Sequence, residues 1–80
     1  MPSDTLSPTE LRNLLVTMLA GAAGGTEDDW YDRVGLVEVL PIWKHPRCNW
    51  RVEFEGTADE RHAFDRAVEI LLEVHPYVRG

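Results

Sequence analysis

NWRVEFE, Asn49–Glu55, alternates in polarity from Trp50 onward. In an extended chain Trp50, Val52 and Phe54 point to one side and Arg51, Glu53 and Glu55 to the other, the period-two pattern of a strand with one face covered. A strand needs a partner. Upstream, VGLVEVLPI at 34–42 is rich in β-branched and apolar residues and lacks helical periodicity, so it predicts a second strand. The short KHPR connection makes an antiparallel hairpin the expected pairing. Pro41 has no N–H to donate, which places it at an edge, a bulge or the end of its strand.

Helical patterns flank this hairpin. In LSPTELRNLLVTMLAGAAGG, Ser7 is an N-cap, Pro8 suits the first helical position, Glu10 completes a capping box, and Leu6 with Leu11 can form a hydrophobic staple. Leu11, Leu14, Leu15, Met18, Leu19 and Ala22 recur at helical spacing, and Gly24-Gly25 closes a helix over 6–23. After Gly56, Thr57 and Glu60 form a second capping box. The helix it opens, over 57–75, is stopped by Pro76. Its apolar face is broad: positions 63, 67, 70 and 74 extend beyond the stripe of 64, 68, 71 and 75, more than one hairpin and one helix require. Between the glycine pair and the first strand, Thr26 followed by Glu27, Asp28 and Asp29 predicts a single helical turn.

The sequence therefore predicts one α+β domain over residues 1–80, with residues 1–5 as a flexible N-terminus. Its two layers follow the order α-β-β-α, with two helices packed on one face of an antiparallel hairpin. A chain of 80 residues buries a modest core. One cysteine permits no intramolecular disulfide, and no Cys and His set has the spacing of a structural zinc site, so self-association is the remaining common source of extra burial. A symmetric dimer either joins two hairpins into a four-stranded sheet or pairs the wide faces of the second helix.

A formal net charge of −6 works against diffuse attraction to nucleic acid or anionic lipid. The run Leu14 to Gly25 is too short to span a membrane and has no cationic flank of the signal-peptide kind, so a cytoplasmic location is expected.

Against this acidic background WKHPRCNWR, 43–51, stands out: Lys44, His45, Arg47 and Arg51, two tryptophans, the only cysteine and no acid. Much of it is expected at the hairpin tip, with Trp50 in the core and Trp43 as the best single contact for a partner. If Val37 and Val39 face the helices, then Leu36, Leu40 and Ile42 lie with Glu38 on the outer sheet face as an apolar patch. The leading expectation is a non-catalytic protein-interaction domain that forms a homodimer through Trp43, Leu36, Leu40 and Ile42. The alternative is nucleic-acid or anionic-ligand binding through Lys44, His45, Arg47 and Arg51, although phosphate binding usually gathers more positive charge.

Other candidates carry less. His45 and Cys48 share a spacing that arises often by chance, and a free cysteine is commonly buried. The acids at 27, 28, 29 and 32 lack the alternating ligands and central glycine of a calcium loop. His62 with Asp65 or Arg66, and Arg61 with Asp65, are neighbours on a solvated helix face. No enzyme activity, cofactor or metal is expected.

Overall fold

The computed structural model describes residues 5–41, 43–44 and 47–79. In chain order it contains α1 (Pro8–Ala23), α2 (Glu27–Arg33), β1 (Val34–Val39), β2 (Trp50–Phe54) and α3 (Ala58–Val74). It is an α+β fold in which helices pack on an antiparallel two-stranded hairpin. Ile42, His45 and residues 1–4 lie outside the described residues.

Both capping boxes form. The Glu10 amide donates to Ser7 Oγ at 3.1 Å while the Ser7 amide donates to Glu10 Oε1 at 3.0 Å, and Thr57 and Glu60 repeat the exchange at the start of α3. At the far end of α1, Gly24 and Gly25 have φ of 84° and 86°, the positive region that side chains with a Cβ resist. That turn aims the chain into α2.

Where the sequence predicts two helices and one intervening turn, there are three helices. The segment from Glu27 to Arg33 makes about two turns of helix. Thr26 caps it and three acids occupy its first turn, but what anchors it is Trp30, 4% exposed, whose Nε1 donates to Gly24 O at 2.9 Å. One buried residue in seven leaves no periodicity to read.

The register pairs Val34 with Phe54, Val37 with Val52, Glu38 with Arg51 and Val39 with Trp50. Between the first two pairs, Gly35 and Leu36 stand against Glu53 alone, a β-bulge that turns Val34 and Val37 to the core although an odd spacing separates them. A Cβ on Gly35 would lie 3.2 Å from Glu53 O, tight for any larger residue. β1 ends at Val39, short of the expected 42. The Leu40 amide still donates to Asn49 O at 2.7 Å, and Pro41 then has no donor with which to continue.

The core is built on Leu11, Leu15, Val16 and Leu19 of α1, all fully buried. A ring stack crosses from α2 through the sheet to α3: Trp30 lies 6.2 Å from Phe54, and Phe54 lies 4.6 Å from Phe64, centroid to centroid. Burying each large apolar side chain stabilises by about 1.5–3 kcal/mol.

The chain ends meet beside the hairpin. Leu6 and Val78 form a parallel bridge, and the Arg79 amide donates to Leu6 O at 2.8 Å. Asn49, buried, clamps this seam: Nδ2 donates to Val78 O at 2.9 Å, and the Val78 amide donates to Oδ1 at 2.7 Å.

Candidate functional site

β1 and the turn after it carry three of the exposed large apolar side chains. Leu36 is 81% exposed, Trp43 76% and Val39 40%. Leu36 shares the outer face with Glu38, one residue before the buried Val37. Val39 faces the helices but lies where the core thins out. Leu40, expected beside Leu36 on the outer face, is half-buried.

The backbone adds to this surface. The strands pair only with each other among the described residues. Leu40 bonds to Asn49, so antiparallel alternation leaves the amides and carbonyls of Val37 and Val39 pointing away from β2. The start of the same edge is covered. Arg12, reaching from α1, donates Nε to Gly35 O at 3.1 Å and Nη2 to Val34 O at 3.0 Å and Tyr31 O at 2.9 Å, with its guanidinium 4.8 Å from the Tyr31 ring centre. Sequence reasoning missed this role of Arg12, as it missed that of Asn49, because neither has a local pattern that names partners more than 18 residues away.

The basic and aromatic stretch is divided rather than gathered. Lys44 Nζ lies 4.9 Å from the Trp43 ring centre, and the Lys44 amide donates to Pro41 O at 3.1 Å, closing the turn. Arg47 is exposed. Arg51 is on the outer sheet face, bonded to Glu38 Oε2 through Nε at 3.3 Å and Nη2 at 3.2 Å. Trp50 is 2% exposed and donates Nε1 to His75 O at 2.9 Å. Cys48 is half-buried, its sulfur 3.9 Å from Trp50 O.

Among the described residues, two of the hollows lie away from the hairpin. The first, about 350 Å³, sits where α1, α2 and α3 approach, beside Gly24, Trp30, Arg33 and Glu60. Within it Arg33 Nε pairs with Glu60 Oε2 at 2.9 Å, and Asp29 and Asp59 also line it. The Thr57 amide, foremost, and Arg33 hold the Glu60 carboxyl below its ordinary range. The second, about 320 Å³ and mostly apolar, is a groove between α1 and α3 floored by Met18, Ala22, Ala63 and Ala67, with Arg66 and Ile70 at its side.

Among the described residues, no group of three or more His, Cys, Asp and Glu side chains is placed to hold a metal ion, and no helix is long and apolar enough to cross a membrane. No protein-family model, curated protein or solved structure matches this chain.

Proposed function

We propose that the chain is a small non-catalytic protein-interaction domain that works in a self-associated form. β1, its open edge and the Trp43 tip are the surface offered to protein partners. The observation that carries this reading is the coincidence of Leu36, Val39 and Trp43, all exposed, with the backbone groups of Val37 and Val39 on one unpaired edge. Backbone groups on a free edge supply hydrogen bonds to an added strand, and flanking apolar side chains supply burial and selectivity. Tryptophan is also among the residues that most often dominate binding energy. In the polar hollow Glu60 is engaged as a helix cap and as the partner of Arg33, which supports a non-catalytic role.

A photo-crosslinking residue at position 43 tests the partner surface against the same residue at Asp65, an exposed position on α3. Capture of a defined protein band at 43 and none at 65 is the expected result. Equal capture at both removes the tip from the proposal. Sedimentation equilibrium tests self-association: a dimer that persists in high salt supports it, and a monomer at every concentration ends it.

A further inference from the structure

The self-association in that reading leaves open which face of the molecule meets its copy. The groove between α1 and α3 is hollow toward the N-terminal half of α3, where Ala63 and Ala67 are small and Met18 and Ala22 complete the walls. The C-terminal half of the same helix does the reverse. Ile70, at the groove's edge, is 50% exposed and Val74 beyond it 63%, both larger than the alanines before them. Ala63, Ala67, Ile70 and Val74 follow the alternating four- and three-residue spacing of a helix-pairing seam. One helix thus carries both holes and knobs, separated along its length of about 26 Å.

We infer that α3 pairs antiparallel with α3 of a second copy of this chain across a two-fold axis. The axis sets Ala67 opposite the partner's Ile70 and Ala63 opposite the partner's Val74, so each copy inserts its knobs into the other's groove.

Charge supports the same arrangement. Arg66 and Glu73 lie two turns apart on one flank of the seam, and among the described residues neither has an ion pair within its own chain. In an antiparallel two-fold pair like flanks face each other, with the order of residues reversed. Arg66 therefore meets the partner's Glu73, and the symmetry repeats the contact. A parallel pairing would set knobs against knobs and turn the flank of Arg66 toward the partner's other flank, away from Glu73. The groove's self-complementarity in shape and in charge is what commits it to a second copy of this chain.

The test is a charge exchange read by sedimentation equilibrium at low salt. Arg66→Glu and Glu73→Arg each place like charges at two symmetric contacts, and each is expected to weaken the dimer about tenfold. The double variant Arg66→Glu/Glu73→Arg restores opposite charges and returns the dissociation constant to near the parent value. Both positions are exposed, so circular dichroism should find every variant folded. Ile70→Asp, which puts a charge into the partner's groove, should leave a folded monomer. A dimer indifferent to all these changes overturns the α3 interface and leaves self-association standing, and loss of that dimer on Leu36→Glu would move the interface to β1. A parent protein that is monomeric at every concentration overturns this inference and the self-association it rests on, while the crosslinking result at position 43 stands apart from both.

Discussion

Trp50 and Trp43 belong to one short stretch and meet opposite fates. Trp50, at the base of the loop that joins the strands, is 2% exposed, and its indole nitrogen bonds to His75 O. Beside it Asn49 closes two hydrogen bonds on Val78, and its own amide donates to Pro76 O at 3.1 Å. Trp43, at the tip, is 76% exposed with Lys44 over its ring. The base is bonded to a segment from distant sequence, His75 to Val78. Among the described residues, none of these bonds reaches Trp43 or Lys44. An indole at the base is structure, and an indole at the tip is surface available for contact.

The strongest way to break this contrast is to truncate both rings. Trp50→Ala is expected to cost about 3–5 kcal/mol, from lost burial and a residual cavity. Trp43→Ala should change stability by under about 0.5 kcal/mol. Urea unfolding of the two variants decides it, and equal losses would place Trp43 in the core.

Asn49→Ala sharpens the account of the base. It leaves the Val78 amide and carbonyl unpaired in a buried place, for an expected loss of about 2–4 kcal/mol. Asn49→Asp keeps an acceptor for the Val78 amide but loses the donor to its carbonyl. A stability like that of the parent in Asn49→Ala would show that water serves the seam equally well.

Arg12→Ala removes a donor from three carbonyls where α2 meets the bulge and is expected to cost about 2 kcal/mol. Amide exchange at Val34 to Val37 should rise more than exchange in β2. Arg12→Lys, lacking the planar fork, is expected to recover only part of the loss.

The smallest effect concerns pH. Glu10 and Glu60 both titrate below their ordinary value in the folded chain, chiefly because the amides of their N-caps donate to the charged carboxylate, with Ser7 Oγ and Arg79 also acting on Glu10 and Arg33 on Glu60. A carboxyl whose folded value is depressed contributes stability that is complete above its unfolded value, about 4.3, and is lost as pH falls through the folded value. Glu60→Gln keeps an acceptor for the cap but removes the charge. Its unfolding midpoint should fall less steeply than the parent's from about pH 5 to about pH 3. Identical slopes would remove Glu60 from the acid response.

The parts legible in the sequence are those with local causes. Ser7, Glu10, Thr57 and Glu60 announce their helices because a capping box is complete within four residues. The alternation of Trp50, Val52 and Phe54 announces a strand because the pleat repeats every second residue. The bulge was not legible: VGLVEV contains no signal that two residues oppose one, since the choice depends on which register buries Val34 and Val37 together. The exposure of Leu36 does follow from alternation once Val37 faces the core, while Leu40 beyond Val39 is half-buried. The alternative anionic-ligand site spreads over four cations, of which Arg51 is bonded to Glu38.

By itself the sequence determined the element types, the ends of α1 and α3, and the excess width of the α3 face, since capping, turn chemistry and periodicity act between residues close along the chain. Only the tertiary structure decided that Trp30 draws a third helix onto the core, that Arg12 and Asn49 seal the two ends of the hairpin, and that Trp50 is enclosed while Trp43 is not. Each of these depends on groups brought together from separate parts of the chain, and burial and hydrogen-bond satisfaction are properties of that assembled whole.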